Sequence, residues 1–486
     1  MSQTRISIAN FGRNVTLTPS TLHRPASEEE LLEILRRSQG QNIRAVGKLH
    51  CWSQAVDVDD VLILTEKLNS ISIDKTGGEP TVTVGGGCQI KDLLNELSKH
   101  GLTLPSVGLI DKQTIAGATA TGTHGSGKHS LSHYIVAARV AHFDENGQPI
   151  VTTVDCGVEL QALRCSLGLL GILVSLTLQC RPSYQICEHA AKYDSIEEVL
   201  EQESEFPLQQ FYLMPWSWKY FAHHRVETPA PKSKLNHLYR FYCFTVIDVS
   251  LHVVVYLLSK LARAGVLARF FYKWIIGLTI PRNWRVVDDA RKMLVMQHDL
   301  FGHIEIEIFV TRSQLTEATQ FLTRALSVFG GLPDPVPDAS TDLDLEAQPS
   351  SYVHRYPICF RRILPDDTLI SMCSPNKNAP DEDWFAISLI SYEWPSQRKG
   401  FYEMADFLAH QMLQRFAARC HWGKHNPLVV GDNYQLYPHL EQFNSIRKKF
   451  DPHGRFSNRW LADVLDANIS AAEIKDVSHG SAPRVD

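Results

Sequence analysis

The segment 114–129, TIAGATATGTHGSGKH, carries the residue types that most plainly could hold a ligand. It contains four glycines and four threonines, and no bulky side chain lies between Ile115 and His124. Glycines let a backbone approach closely, and successive N–H groups can turn inward around an anion. The segment therefore predicts a site for a phosphate or pyrophosphate group. The alternative is a turn of small residues between a strand and a loop.

Two further places carry side chains suited to chemistry. His50 follows a short apolar run and Gly47, a position where binding groups are often found, and a structural turn histidine is the alternative. In HIEIEIFV, Glu305 and Glu307 alternate with isoleucines, which places both carboxylates on one face of a strand. That face is either solvated or lines a pocket.

The surrounding pattern predicts the elements that would position these residues. Ser27 and Glu30 form a capping box before leucines at helical spacing. Glycine-bounded runs of β-branched residues indicate strands, and an amphipathic helix ends at Gly101. The predicted strands are at 43–46, 61–64 and 71–73, with a hairpin over 133–156.

Composition excludes several classes of protein. The chain has 486 residues, 44% of them hydrophobic, and a net charge of −5 without a basic tract, which predicts two or three folded domains and no nucleic-acid partner. Ten cysteines lack paired spacing, so we expect reduced thiols and neither a disulfide framework nor a metal site. The N-terminus has no apolar core of signal-peptide length. We expect a protein on the cytoplasmic side that is not secreted.

Residues 241–280 are unusually apolar and aromatic. The longest uncharged piece, 249–259, is shorter than the roughly 20 residues that a spanning helix requires. The two interpretations are an interfacial helix or hairpin on a membrane face and a buried pair of helices. Charged residues interrupt the run at Asp248, Lys260, Arg263, Arg269 and Lys273.

Four stretches, taken in order, resemble one known family. The turn from Gly47 to His50, the run VGGG, the segment QTIAGATATGTHGSG and the run SLGLLGILVSLTLQ are similar to the FAD domain of the vanillyl-alcohol oxidase family, in its aldonolactone and alditol oxidase branch. The resemblance covers roughly residues 5 to 185 and resumes near the C-terminus. It implies an α+β fold, with a two-part FAD-binding domain of the PCMH type and an α/β substrate (cap) domain on a mainly antiparallel sheet.

The resemblance also implies domain boundaries. The FAD-binding domain would span 1–182, the cap domain 183–425, and a return to the FAD domain 426–468. Within the cap domain, 241–280 is an apolar insertion similar to that of membrane-associated lactone oxidases, and the acidic, proline-rich stretch 332–351 is expected to be a mobile loop. A disordered tail is expected at 469–486.

The cofactor implied by the resemblance is FAD, bound covalently through the ring of His50. Gly108 matches the family's gate beside the flavin, where a small residue admits oxygen. The remaining cofactor-binding residues implied by the resemblance are Gly47, Thr114, Gly117, Thr119, Gly122, Thr123, His124, Gly125, Gly171 and Ile172.

Catalytic residues also follow from the resemblance. His421 and Lys424 in ARCHWGKHN match the branch's His-Trp-x-Lys signature, and Arg361 matches the arginine of a Glu-x-Arg pair whose glutamate is here Cys359. Lys424 and Arg361 would stabilise negative charge arriving on the flavin. The proton acceptor is left open between His421, Glu307 and water.

The implied reaction is oxidation of an aldono-1,4-lactone of the L-gulono-, L-galactono- or D-arabinono- type by oxygen, which yields hydrogen peroxide and an ascorbate-type enediol. Oxidation of an alditol or another carbohydrate alcohol is an alternative. A membrane-associated flavoprotein without lactone turnover is a third interpretation, supported by Cys359 and by the unusual turn around His50.

Overall fold

Short runs of β-branched and aromatic residues form the strands. The structure, a computed structural model, describes residues 6–260, 264–278, 284–296, 302–336, 343–376 and 379–466. Its strands are β1 Ile8–Ala9, β2 Thr16–Leu17, β3 Thr21–His23, β4 Ile43–Val46, β5 Val61–Leu64, β6 Ile71–Asp74, β7 Thr81–Gly85, β8 Leu102–Thr103, β9 Ile135–Phe143, β10 Pro149–Val154, β11 Ile172–Gln179, β12 Arg181–Pro182, β13 Gln185–Tyr193, β14 Gln210–Met214, β15 Lys219–Thr228, β16 Val286–Asp289, β17 Ile304–Thr311, β18 Ile358–Ile363, β19 Trp384–Ser391 and β20 Arg419–Cys420.

The longer helices bury an apolar stripe against these strands. The helices are α1 Glu28–Arg37, α2 Ile90–Lys99, α3 Ile115–Ala120, α4 Gly157–Arg164, α5 Ile196–Glu201, α6 Asn236–Tyr242, α7 Leu251–Leu258, α8 Ala264–Phe270, α9 Ala290–Leu294, α10 Leu315–Phe329, α11 Leu343–Glu346, α12 Lys399–Phe416, α13 Val430–Leu436, α14 Leu440–Phe450 and α15 Arg459–Leu465. The predicted capping box is confirmed, because Ser27 Oγ accepts from Glu30 N at 3.2 Å and Glu30 Oε2 accepts from Ala26 N at 2.7 Å.

Two sheets in the N-terminal part position the segment 114–129. Strands β3, β5 and β4 pair in parallel, whereas β10, β9, β11, β7 and β6 form an antiparallel sheet. The start of α3 is held beside the end of β7, since Ala116 N donates to Gly86 O at 3.1 Å and Ile115 N donates to Cys88 O at 2.8 Å. The glycine turn after β7 thereby fixes the glycine- and threonine-rich segment.

An antiparallel sheet of eight strands dominates the rest of the chain. Its order is β16, β13, β15, β14, β18, β19, β17 and β20. Helices α10 and α12 contact each other and both contact β17. The predicted α+β fold with a mainly antiparallel second sheet is confirmed.

The C-terminal helices return to the N-terminal part. Ile43 N in β4 donates to Arg455 O at 2.8 Å. Asn458 Nδ2 donates to Gln54 O and Asp57 O, both at 2.9 Å. These bonds tie the start of α15 to residues 54–57, which follow the turn that carries His50. The predicted tail lies outside the described residues.

Three segments differ from the sequence-based expectations. The segment 114–129 is not wholly a loop, since Ile115 and Ala118 are fully buried and stabilise α3. The stretch 332–351 is not wholly a loop either, because Leu345 in α11 is fully buried; residues 337–342 lie outside the described part. The solvated interpretation of the acidic face of β17 is wrong, because Glu305 and Glu307 are buried.

A long apolar helix replaces the short pieces expected within 241–280. α6, a wider turn over Cys243–Ser250 and α7 form one helix of 23 residues, Asn236–Leu258, in which a window of 18 residues has mean hydropathy 1.9. By length and composition alone it could cross a membrane. The helix continues through Asp248, where burial raises the pKa of the carboxyl to about 7 and thus favours its neutral form. We refer to residues 236–258 as the apolar helix.

Candidate active site

A narrow cleft of about 120 Å³ separates the turn after β4 from α3 and the loop before β11. Its walls are small residues, and the two turns meet closely: a Cβ on Gly47 would lie 1.9 Å from Thr114 Oγ1. No larger side chain fits at Gly47 without separating the turns. Lining residues that the sequence predicted are Gly47, His50, Thr114, Gly117, Gly171 and Ile172.

Arg44 places a buried cation in this cleft. Its guanidinium donates to Leu167 O at 2.6 Å and to Phe456 O at 2.5 Å, and its Nε has no hydrogen-bond partner among the described residues. Burial lowers the pKa of Arg44 to about 10, which leaves it charged at neutral pH. An orphaned donor on a buried cation, beside glycine turns, fits a phosphate group.

His50, Gln113 and Thr121 line both the narrow cleft and a second, larger cavity of about 330 Å³. The ring of His50 stacks on Phe11, with centroids 4.9 Å apart. An elongated ligand that carries phosphates in the narrow cleft can therefore reach the large cavity past His50.

Buried carboxylates form one end of the large cavity. Glu305 and Glu307 project from β17, and Glu305 accepts hydrogen bonds from Ser388 and from Lys424. Lys424 Nζ also lies 4.4 Å from the centroid of the Trp52 ring. The lysine is thus a cation held between a carboxylate and an aromatic face.

Glu307 lies among four groups that can carry positive charge. Its carboxylate oxygens are 3.5 Å from His124 Nε2, 4.0 Å from His421 Nε2 and 3.9 Å from an Arg361 guanidinium nitrogen. Burial alone would raise the pKa of Glu307, but His124, Lys424 and His421 outweigh it and hold the pKa well below the usual range. The side chain is therefore an anion at neutral pH.

Arg361 and Cys359 project into the same cavity from β18. Burial alone would lower the pKa of Arg361, but nearby negative charge, that of Glu307 included, raises it above the usual value, so the guanidinium stays charged. Burial raises the pKa of the Cys359 thiol, and Gln210 Nε2 donates to its sulfur at 3.1 Å. A neutral thiol at this position carries no carboxylate function.

His124, Glu307 and His421 offer ligand atoms within 4.8 Å of one another, the spacing of a metal site. The hydrogen bond from Gly423 N to His421 Nδ1, 2.9 Å long, argues against a metal ion there. A backbone N–H can only donate, so in a neutral ring the hydrogen sits on Nε2 and that atom has no lone pair for a metal.

The structure brings most of the predicted site residues together. Gly108, Thr123, His124, Glu307, Arg361, His421 and Lys424 line the large cavity. A Cβ on Gly108 would lie 2.8 Å from Thr123 Cγ2, so the wall at this point has no room for a larger residue.

Three predicted cofactor-binding residues line neither cavity. Thr119 is fully buried and its hydroxyl donates to Ile115 O of its own helix at 2.9 Å. Gly122 has φ +74°, where a Cβ would meet Met372 Cε at 2.9 Å. Gly125 packs against Val107 O, 2.6 Å from where a Cβ would lie. All three shape the backbone of the segment.

Sequence reasoning missed several residues of the site. Glu305 was placed on the same strand face as Glu307, but its pairing with Lys424 was not predicted. Arg44 lies in an apolar strand, where a lone arginine could have been noticed. Gln210 and Ser388 gave no signal, because sheet pairing alone brings them to the cavity.

The apolar helix also lines the large cavity. Side chains from the wider turn and from α7 face it, together with aromatic residues of the eight-stranded sheet. These apolar lining residues include Tyr212, Phe221, Phe244, Val246, Ile247, Leu251, Val254, Phe271, Tyr356 and Tyr392. The helix therefore gives the cavity a large apolar surface, beside which lie polar groups that include Asp248, His252 and the buried pair Glu188 and Arg225.

The fold and the site define a class of protein. A cleft that fits a phosphate group opens past a histidine into a larger cavity that carries buried cations and a carboxylate, an arrangement that suits a flavin-dependent oxidoreductase. Oxidation of a CH–OH group is one reaction that such a site can support.

Comparisons with known proteins give the family. The FAD binding domain model matches residues 19–153, and the D-arabinono-1,4-lactone oxidase model matches residues 176–464. The chain belongs to the vanillyl-alcohol oxidase family, in its aldonolactone oxidase branch, and FAD is its cofactor.

Two curated relatives cover nearly the whole chain. A long-chain alcohol oxidase from an uncultured marine euryarchaeote is 45% identical over 94% of this chain and 97% of its own. L-gulonolactone oxidase of Mus musculus is 26% identical over 95% of this chain and 98% of its own. Among solved structures, cholesterol oxidase from B. sterolicum has the same fold, with TM-score 0.76 and 14% identity. The match covers 95% of this chain and 97% of that chain.

Proposed function

We propose that this protein oxidises a primary alcohol on a long apolar chain to the aldehyde, with FAD as the electron acceptor and oxygen as the final oxidant. The observation that carries the proposal is that one cavity is lined both by the buried groups Glu307, Arg361 and Lys424 and by side chains of the apolar helix. A hydroxyl beside these buried groups would leave the hydrocarbon chain against apolar side chains, where burial is favourable.

The relative named a long-chain alcohol oxidase supports this substrate class. Cys359 supports it as well, because the family's carboxylate at this position is absent and a polar sugar ring would have one partner fewer.

The experiment that tests the proposal mixes oxidised enzyme anaerobically with 1-decanol, an alditol or L-gulono-1,4-lactone and follows bleaching of the flavin absorbance. Bleaching by decanol alone supports the proposal. Bleaching by the lactone or the alditol but not by decanol contradicts it.

An aldono-1,4-lactone remains the second candidate substrate. The signature residues His421 and Lys424 both line the large cavity, and the lactone oxidase model matches the sequence around them. The ascorbate-type product belongs to this second candidate only.

FAD is expected to be joined covalently to His50. The imidazole ring of His50 lies where the narrow cleft meets the large cavity. If the phosphates of FAD bind near Arg44 and Gly47, the flavin ring would lie at the same place. Acid-denatured protein should retain flavin fluorescence on a gel, and His50→Ala should lose that band. The matched control His133→Ala, outside both cavities, should keep it. Release of all flavin from denatured wild-type protein would refute the bond.

The apolar helix and α8 are proposed to attach the protein to a membrane face. Exposed large hydrophobic residues concentrate here, among them Phe241 at 64%, Phe270 at 56% and Trp274 at 63% exposed. Lys260 and Lys273 flank them and can meet anionic headgroups. Of the other charges in this stretch, Arg263 lies outside the described residues.

Membrane attachment can be measured by sedimentation with anionic vesicles. The double variant Phe270→Ser/Trp274→Ser should lower the fraction bound at least tenfold, since burial of each side chain contributes about 1.5–3 kcal/mol. Val429→Ser, an exposed apolar residue elsewhere, serves as control and should leave it unchanged. If wild-type protein stays in the supernatant, attachment is refuted.

A further inference from the structure

The hydrogen bonds of two buried histidines fix which ring nitrogen can accept a proton. His421 Nδ1 accepts from Gly423 N at 2.9 Å. His124 Nδ1 lies 3.0 Å from Gly125 O, and a carbonyl oxygen can only accept, so this nitrogen carries a hydrogen. The two rings therefore have opposite tautomers: His421 presents Nε2–H, and neutral His124 presents a bare Nε2.

Both Nε2 atoms point toward Glu307. His124 Nε2 lies 3.5 Å from Oε1 and His421 Nε2 lies 4.0 Å from Oε2. Oε1 makes no hydrogen bond among the described residues. A bare nitrogen and a carboxylate oxygen repel at this separation unless a proton lies between them, whereas His421 already offers a hydrogen to Oε2.

The surrounding charges favour an ionised Glu307 and a neutral His421. Arg361 and Lys424 face the carboxylate as cations, and Glu305 is engaged by Lys424 and Ser388. Burial lowers the pKa of His421 to about 3, and Glu307 only partly opposes this shift. The neighbouring thiol, Cys359, is neutral because burial raises its pKa.

We propose that the pair His124–Glu307 accepts the hydroxyl proton of the substrate, and that His421 is a hydrogen-bond donor which cannot take this role. This assignment rests on the proposed function, oxidation of an alcohol. His124 thereby gains a part in catalysis beyond contact with the cofactor.

The step balances within these groups. The substrate O–H bond breaks as an N–H bond forms at His124 Nε2, and Glu307 Oε1 stabilises the resulting positive charge on the ring. The carbonyl forms as the C–H bond breaks, and bound FAD supplies the acceptor for that hydride and its two electrons. His421 Nε2–H can donate to the oxygen while negative charge builds on it.

The assignment has a consequence for pH dependence. The pair must be without its proton to accept another, so the rate of anaerobic flavin bleaching should rise with pH through one apparent pKa that belongs to the pair. Glu307→Gln should lower the maximal rate about 100-fold or more and remove this rise. His421→Asn should lower the rate but keep the rise. The opposite pattern, with the rise lost in His421→Asn and kept in Glu307→Gln, overturns the proposal.

A second measurement needs no substrate. In holoenzyme with ¹⁵N-labelled histidine, the signal lost in His421→Asn should show the Nε2–H tautomer at neutral pH. The signal lost in His124→Gln should show either the Nδ1–H tautomer or the protonated ring. An Nδ1–H tautomer for His421 overturns the proposal even if an alcohol reduces the flavin. If no alcohol reduces the flavin, the proposed function is wrong, but the ¹⁵N signals can still confirm the two tautomers. Failure of the proposed function is therefore distinguishable from failure of this assignment.

Discussion

Replacing Lys424 by methionine should slow anaerobic reduction of the bound flavin about 100-fold or more while FAD stays in place. Lys424 lines the large cavity, where its charge is held between Glu305 and the ring of Trp52. A cation fixed in a buried site stabilises developing negative charge more than one in water does. Stopped-flow absorbance with a saturating alcohol measures the rate.

The buried partner of Lys424 complicates this variant and also provides its control. Removing the lysine leaves Glu305 as an unpaired buried carboxylate, which can destabilise a protein by about 3–5 kcal/mol. The double variant Lys424→Met/Glu305→Gln removes both charges at similar volume. If Lys424 acts on the reaction, the double variant stays slow. Recovery of the rate would mean that the lysine only balances Glu305.

Local pattern was enough to predict much of the fold. The strand 43–46 was placed at its exact bounds because a β-branched run ended at a glycine. The capping box at Ser27 predicted the start of α1. By contrast, α3 was missed because small residues and glycines indicate a turn, whereas burial of Ile115 and Ala118 stabilises a helix there.

The site was predictable where residues share one element and unpredictable where long-range packing assembles it. Glu305 and Glu307 follow from the alternation in β17, although only the sheet and the cavity show that they are buried. The contact between His124 and Glu307 joins residues far apart in sequence, and no spacing rule reaches it. The tautomers depend on single backbone groups, which sequence does not place.

The length of the apolar helix was underestimated for a physical reason. Counting uncharged residues treats Asp248 as a full charge, but burial raises the pKa of its carboxyl to about 7. At that pKa the group is neutral about half of the time near neutral pH, so its cost within an apolar helix falls. The helix therefore continues past a residue that appeared to end it.

Extending the substrate should raise kcat/KM by about fourfold for each added methylene, because each buried CH₂ contributes about 0.8 kcal/mol. From 1-butanol to 1-octanol the expected gain is about 200-fold. The gain should appear in KM, since the apolar wall contacts the chain equally before and during reaction. Initial rates of hydrogen peroxide formation across the alcohol series measure it.

A matched pair of variants on the apolar helix tests whether that wall is responsible. Ile247→Asp places a carboxylate in the lining of the large cavity, so it should flatten the dependence on chain length. Phe241→Asp adds the same charge on the same helix at a position 64% exposed and outside the lining, so the dependence should persist. Short alcohols, which do not reach the helix, should react alike with both variants. If kcat/KM is flat from butanol to octanol in wild-type enzyme, the apolar wall does not bind the substrate chain.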